Sequence, residues 1–474
     1  MKPFKPYVPH QDYLLPPSPK DWLPPDHLAH FIDEVVDQLD LSAIFRAYEG
    51  ENRGQPPYHP VMMVKVWLYA YTQGIRSSRR LERALYEDIA FRMLSGNQQP
   101  DHWTLSEFRR RHLEALGELF VQTVHLARKA GLVKLGQVAL DGTKIKAYAS
   151  KHAAMSYARM QEEERRLREE IERYFAEVEA TDREEDRLFG DRRGDELPEH
   201  LRTVEKRREA IRRAMRELEA EARQKAEAEQ AKRRTEAEKR GRTYRPHKDP
   251  QQAKPSPKAQ RNFTDPDSRI MKDAEGQFIQ GYNAQAVVDT ETQIIVAADL
   301  TNQAADAPHL LPMVDQVEAN TGRRPEALLA DAGYFDAEAI EALQARGIRV
   351  LIPPDKMPHR LRRTLPPAPA PPPEGASLRE RMRYLLRLPE VLERYRQREQ
   401  SVEPVFGQIK QGRGLRQFLL RGLDKVRALW RLDCAVHNLL KLYRAGVRFR
   451  GTPPASDAAP HRVEGRESAL PIAA

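Results

Sequence analysis

The chain has 474 residues, room for two or three domains, and its 79 Lys and Arg against 70 Asp and Glu leave a net charge of +9. That excess suits a polyanionic partner where the basic residues cluster, because phosphate neutralisation supplies most non-specific affinity for nucleic acid. The single cysteine, Cys434, excludes an intrachain disulfide and a multi-cysteine zinc site, no apolar run approaches the roughly 20 residues of a membrane helix, and no apolar signal core follows Met1; together these predict a cytoplasmic protein with no membrane partner.

Residues 1–25 are proline-rich and read as extended. Residues 26–130 read as helix after helix. Leu28, Phe31, Ile32, Val35, Val36 and Leu39 recur at helical spacing. Pro60 opens a further helix with Met63, Val64, Trp67, Leu68 and Tyr71 on its apolar face, and Ser77 is placed to cap the next. Arginines clump here: Arg76, Arg79, Arg80 and Arg83, then Arg109, Arg110 and Arg111. A compact helical domain carrying them is a candidate DNA-binding domain.

After a break at Gly131 to Gly136, a first strand is predicted to end at Asp141, in Val138-Ala139-Leu140-Asp141-Gly142-Thr143-Lys144. Residues 156–261 then change character. They are packed with Glu, Arg, Lys and Ala, with a sparse stripe at Leu167, Ile171, Tyr174, Phe175 and Val178. This composition predicts a coiled-coil-like helical hairpin, laced by (i, i+4) ion pairs, that breaks between Leu188 and Pro198. Its favoured role is a spacer or dimerisation arm, and its basic Pro/Gln-rich end from Lys232 onward reads as disordered.

Order returns near Phe263. Two strands, Gly281 to Asp289 and Gln293 to Leu300, flank the turn Thr290-Glu291-Thr292. A helix from Ala307, a strand from Ala327 to Asp331, a helix from Ala337 and a strand from Ile348 follow, so the pattern is an α/β sheet, partly parallel. A proline-rich linker, Pro366 to Pro373, leads to helices from Leu378 to Leu442, and residues 446–474 read as a disordered tail. In the last helix Leu429, Leu432, Val436 and Leu439 read as core, and His437 and Asn438 as satisfied polar groups.

Three acids carry the chemistry. Asp141 and Asp331 each follow an apolar strand, and ligands collect beyond the carboxyl ends of strands in α/β sheets. They lie 190 residues apart, and removing the charged insert brings their strands into one sheet. Glu403 lies in a polar helical stretch seven residues before Lys410, two turns or about 10 Å along one face. Pro404 is accommodated if Ser401 caps that helix, and otherwise kinks it. Magnesium prefers oxygen ligands, and two such ions about 3.5–4 Å apart clamp the attacking and leaving oxygens of a phosphoryl displacement. Three carboxylates nearly balance two divalent ions, and a phosphate oxygen supplies the remainder. Lys144, Lys146 and Lys151 follow Asp141, and Arg413, Arg416 and Arg421 follow Lys410. As a group they are expected to line a DNA path, with Arg79, Arg80, Arg109 and Arg110 on the N-terminal domain.

These blocks resemble the DDE transposases of bacterial insertion sequences. Tyr58-His59-Pro60 to His112 is similar to the family's helical N-terminal domain. Asp141-Gly142-Thr143-Lys144 resembles its first catalytic block and Asp331-Ala332-Gly333-Tyr334 its second. Glu403 to Lys410 is similar to the third, a Tyr-Arg-Glu-Lys signature. Tyr395 and Arg398 keep the signature's mutual spacing, but four residues rather than three separate Arg398 from Glu403.

The resemblance implies an α+β, α/β multidomain chain. It would combine a helical N-terminal domain with a ribonuclease-H-like mixed sheet flanked by helices, over 136–155 and 262–445, interrupted by the helical insertion. It also implies Asp141, Asp331 and Glu403 as catalytic and metal-binding residues, with two Mg²⁺ ions for which Mn²⁺ substitutes. The implied partners are double-stranded DNA (terminal inverted repeats and target) and a second copy in a homodimer, with a nucleoid-associated location in a bacterial cytoplasm. Two rival readings are a nuclease on the same fold that does not join strands and a coiled-coil DNA-binding or scaffold protein.

Overall fold

The computed structural model of the protein describes residues 18–49, 56–150, 153–185, 199–244, 249–273, 275–356 and 370–449. The described residues divide into two compact units, those up to 115 together with those from 442 on, and those within 116–441. Most of the helix Leu113–Lys129 belongs to the second unit.

The first unit is helical. α1 (Leu28–Val36) buries Phe31, Ile32, Val35 and Val36, as their spacing predicts. α2 (Ser42–Arg46) is short. α3 (Pro60–Thr72) opens on Pro60 and is buried on nearly every side, which makes it the hub of this unit. α4 (Ser78–Glu87) follows Ser77, which sits at the N-cap but makes no side-chain cap bond. α5 (Ile89–Leu94) and α6 (His102–Arg111) are capped by carboxylates instead. Asp88 accepts from Ala90 N at 2.7 Å, and Asp101 accepts from Thr104 N at 2.7 Å.

The second unit begins with α7 (Leu113–Lys129) and builds a six-stranded mixed sheet. Its middle is formed by β1 (Gln137–Lys146). One edge of β1 pairs antiparallel with the long β5 (Phe278–Asp289); the other pairs parallel with β7 (Ala327–Leu329), which in turn pairs parallel with β8 (Arg349–Leu351). The far edge of β5 is shared by β4 (Arg269–Lys272) and β6 (Ile295–Thr301). Val138, Ala139 and Leu140 are wholly buried, as a strand covered on both faces requires. β1 does not stop at Asp141. Its ladder with β5 continues from Asp141↔Ala286 to Lys146↔Gly281, because β5 is long enough to pair every residue. α10 (Leu310–Thr321), α11 (Ala337–Ala345), α12 (Leu378–Leu385), α13 (Pro389–Gly407) and α14 (Leu423–Arg444) complete the unit. In α14, Leu429, Leu432, Val436 and Leu439 are buried. His437 contacts Gln293 O at 2.9 Å, and Asn438 bonds both the N–H and the carbonyl of Ile295.

The insertion is a pair of long helices, α8 (Tyr157–Glu185) and α9 (Glu199–Lys239), rooted in a ribbon of β2 (Ala154–Ser156) and β3 (Gln260–Asn262). The predicted break, Leu188 to Pro198, lies outside the described residues apart from its flanks, as do residues 450–474 of the tail and residues 1–17. α9 runs through Lys232 to Lys239, where disorder was expected. Strong helix formers and the pairs Arg233–Glu229 and Arg234–Glu238 favour the helix there.

Tyr157, Met160 and Leu167 of α8 pack on Ile211, Ala214 and Leu218 of α9. Beside them Glu164 is buried and receives Arg168, Arg208 and Arg212 at 2.5, 3.1 and 2.8 Å. Burial opposes its charge, but the three arginine hydrogen bonds prevail and hold its carboxyl at about 2. This stabilisation is present above the ordinary glutamate value of 4.5 and is lost as pH falls toward 2. Glu164→Gln is expected to cost about 1–3 kcal/mol, mostly by leaving three arginines uncompensated. Hydrogen exchange should quicken in α8 and α9 before the sheet; unchanged exchange there would show that the hub contributes nothing.

Candidate active site

Side chains of β1 alternate between two faces of the sheet. Asp141 and Thr143 point to the face covered by α13; Gly142 and Lys144 belong to the opposite face. α13 presents Tyr395, Arg398, Val402 and Val405 as its buried stripe. Arg398 reaches down to β1, where its Nη1 donates to Asp141 Oδ2 at 3.0 Å, while its Nη2 lies 3.9 Å from Glu403 Oε1. One guanidinium thus bridges the first and third acids. Buried Arg398 Nε has no hydrogen-bond partner among the described residues.

Pro404 lies inside α13, and Ser401 is not its cap; the serine hydroxyl back-bonds to Gln397 O at 2.7 Å. The helix tolerates the proline because the carbonyl it would have served, Gln400 O, accepts from Gln293 Nε2 at 3.1 Å. Past Gly407 the chain widens into a π-turn, Gln408–Gly412, which carries Lys410. Lys410 Nζ donates to Thr143 Oγ1 at 3.0 Å, so it too stands over β1, two residues from Asp141. Burial pushes the Lys410 ammonium down, with Asp273 and Glu275 opposing.

Asp331 lies just beyond β7, the parallel neighbour of β1. It caps the turn Ala332–Tyr334, accepting from Gly333 N at 2.8 Å. Burial raises the Asp141 carboxyl to about 6; Arg398 works against that rise, while Asp331 and Asp306 add to it. Asp141 keeps 19% of its side chain exposed and Glu403 58%. Among the described residues no group of three or more His, Cys, Asp or Glu side chains stands ready to hold a metal ion. The donor set nevertheless fits a hard cation. The acids offer only oxygen, and Asp141 carries negative charge that a single guanidinium leaves under-compensated.

The predicted basic residues divide. Arg416 is exposed and near Lys410, Lys146 is exposed but by the alternation of β1 falls on the face of Lys144, and Arg421 lies 4.9 Å over the exposed Tyr148 ring. Arg413 does not join them: it is buried and donates to Asp433 O at 3.2 Å, a fixed interior role. Lys144 is spent on Asp306, at 3.0 Å. Lys151 lies outside the described residues. In the first unit Arg79 and Arg80 are exposed, and Arg110 is exposed but paired with Glu107. Arg109 is a correction. It is buried with its guanidinium 4.4 Å over Trp67 and donates to Arg76 O, so packing rather than solvent holds it. Arg76 is buried as well.

Sequence reasoning missed Asp306, Asn283, Gln285 and the hydroxyl of Tyr334. Asp306 Oδ1 accepts from Lys144, from Asn283 Nδ2 at 2.7 Å and from Gln285 Nε2 at 3.0 Å, and Tyr334 OH donates to Gln285 Oε1. Burial, with Asp141 and Asp306 nearby, drives the Tyr334 phenol well above its usual range, so it stays protonated. A signal was available: polar Asn283 and Gln285 alternate within a buried strand, Phe278–Asp289.

Comparison with known proteins agrees with this geometry. The chain matches the family models described as a transposase domain (DUF772), over residues 17–111, and a transposase DDE domain, over residues 247–439. Together these span well over half of the chain; Asp331 and Glu403 lie inside the second match, and Asp141 precedes it on the other side of the insertion. No curated relative and no solved structure matches. With a mixed sheet of this topology and two transposase matches in this order, the chain belongs to the DDE transposases of insertion sequences, and its second unit has their ribonuclease-H-like fold.

Proposed function

We propose that this transposase cuts DNA at the ends of its element and joins the freed 3′ ends to target DNA. Asp141, Asp331 and Glu403 would hold the divalent metal, two Mg²⁺ ions with Mn²⁺ as a substitute. The observation that carries this reading is convergence. Supporting it, one guanidinium pairs with Asp141 and lies 3.9 Å from Glu403, and the parallel register Ala139↔Leu329 sets Asp331 and Asp141 each two residues past paired positions of neighbouring strands.

Bound divalent metal would supply an activated water or 3′-hydroxyl and charge stabilisation at the phosphate. The protein's own groups do the rest. Arg398 holds Asp141 and Glu403 to one guanidinium. Lys410, which stands over β1 beside Asp141, and the nearby exposed Arg416 would meet backbone phosphates on this face. Tyr334 is buried and its hydroxyl is committed to Gln285, so it is not offered as a nucleophile, and the reading needs no covalent protein–DNA intermediate.

The helical first unit would recognise the terminal inverted repeats, with Arg79, Arg80 and Arg110 on its surface. Two copies would pair the two ends, and the α8–α9 arm would serve as spacer or dimerisation element. The test is a cleavage and strand-transfer assay on supercoiled donor DNA carrying the terminal repeats, with wild type, Asp331→Asn and Glu403→Gln. Wild type should cleave and join only with Mg²⁺ or Mn²⁺, and both variants should do neither. Full cleavage by either variant removes that residue from the site, and cleavage without joining by wild type makes the protein a nuclease.

A further inference from the structure

The two strand-borne acids have a shared support on the face of the sheet away from α13. Lys144, Asn283 and Gln285 converge there on Asp306 Oδ1, and all three lie on the paired strands β1 and β5, with Lys144↔Asn283 and Gly142↔Gln285 in register. Gln285 also accepts from Tyr334, which ends the turn that Asp331 caps. The chain of contacts therefore runs from the turn after Asp331, through Tyr334 and Gln285, to Asp306 and the β1 backbone.

It is closely fitted at both ends. A Cβ on Gly142, the residue after Asp141, would lie 2.5 Å from Gln285 Nε2 and 3.1 Å from Asp306 Oδ1. A Cβ on Gly333 would lie 3.0 Å from Asp331 Oδ1 and 3.4 Å from Asp306 Oδ2. Asp306 therefore leaves no room for a side chain beside the first acid, with one oxygen, and little in the loop of the second acid, with the other. Lys144 balances its charge, so it adds no free anion near a DNA path. Buried Asn283 Oδ1 has no partner among the described residues, so the only anchoring interactions of that amide run through its Nδ2, to Asp306 and to Gln303 O.

We propose that Asp306 is a positioning residue of this active site, fixing the separation of Asp141 and Asp331 through Lys144, Gln285 and Tyr334 before metal binds. It acts from behind the sheet and touches neither metal nor DNA. The inference rests on the metal-binding reading given above. Supports of this kind characteristically change metal affinity rather than remove it, by about 10- to 100-fold.

The experiment measures Mn²⁺ binding by electron paramagnetic resonance, cleavage against Mg²⁺ concentration, and binding of terminal-repeat DNA by gel shift. It uses full-length wild type, Asp306→Asn, Tyr334→Phe and the double variant. The two single variants are expected to weaken Mn²⁺ binding by about 10- to 100-fold and to raise the Mg²⁺ needed for half-maximal cleavage in parallel. DNA binding should stay at the wild-type level, and the double variant should be little worse than either single one, since both break one chain of contacts. A lower melting temperature with unchanged Mn²⁺ affinity in both single variants would make the network merely structural and overturn the proposal. If Asp306→Asn fails to fold, Tyr334→Phe decides alone, because it removes only a hydroxyl. Failure of wild type itself to bind Mn²⁺ or cleave would sink the metal-binding reading instead.

Discussion

Asp141→Asn is expected to melt at a higher temperature than wild type at pH 7.5, and to have lost strand cleavage by about 10³-fold, the effect of ~4 kcal/mol on the barrier. Both halves follow from one environment. Burial, joined by Asp331 and Asp306, lifts the Asp141 carboxyl from 3.8 to about 6 even with Arg398 alongside. A folded-state value above the unfolded one means the group's contribution to stability is fully present below 3.8 and is lost as pH rises through about 6. At neutral pH the ionised acid then costs up to ~3 kcal/mol, which partial exposure trims, so the uncharged amide should recover about 1–3 kcal/mol. Wild type should accordingly lose stability between about pH 4 and pH 6, and the variant should lack that part of the slope. Thermal unfolding of both proteins across this range, with terminal-repeat binding as a control, checks the pairing of effects. A variant less stable than wild type at every pH would mean that Asp141 is an ordinary structural partner of Arg398. Such opposition between stability and activity is what an active site built on uncompensated charge should show.

The elements were legible where apolar period and length agreed. α1 and α3 follow from their helical spacing, and β5, β6, β7 and β8 follow from short apolar runs between turn residues. The end of β1 was not legible. Asp, Gly, Thr and Lys are poor strand residues in isolation, and only the unseen partner β5 carries the strand on to Lys146. Local pattern also fails to separate one strand-end aspartate from another. Asp289 closes β5 much as Asp331 follows β7, yet it is wholly buried and accepts from Lys134 N at 2.7 Å, Leu135 N at 2.9 Å and Glu291 N at 3.1 Å, a turn-former and nothing more. Resemblance, not composition, separated the two. The arginines show the same limit. Arg109 and Arg110 are adjacent and chemically alike, but one lies under Trp67 and the other in solvent, because a helix turns 100° between them. Arg398 sits one residue away from the signature's spacing to Glu403, and still reaches both Asp141 and Glu403, since a long flexible side chain absorbs a displacement that a count of residues cannot.

Gly142→Ala should separate activity from stability more sharply than any charge change. Glycine inside a strand usually marks a close approach, and here the approach is from side chains of the Asp306 network. The new methyl carbon would meet Gln285 Nε2 at 2.5 Å and Asn283 Oδ1 at 3.0 Å, so the network has to move. Those atoms are side chains with some freedom, which limits the cost to about 1–3 kcal/mol of overpacking. The movement falls beside Asp141, however, and a displacement of about 1 Å at reacting groups is worth on the order of 10²-fold in rate. Gly281→Ala is the matched control. Its methyl carbon would meet a backbone atom, Ile145 O, at 2.5 Å, at the far end of the same pair of strands. Backbone yields less readily than an amide side chain, so Gly281→Ala should lose more stability than Gly142→Ala. Of the two, Gly142→Ala should lose far more cleavage at a temperature where both remain folded. Chemical denaturation gives the first ordering and single-turnover cleavage the second. If cleavage in the two variants simply tracks their stabilities, the packing around Gly142 supports the fold alone, and the tight fit next to Asp141 has no bearing on catalysis.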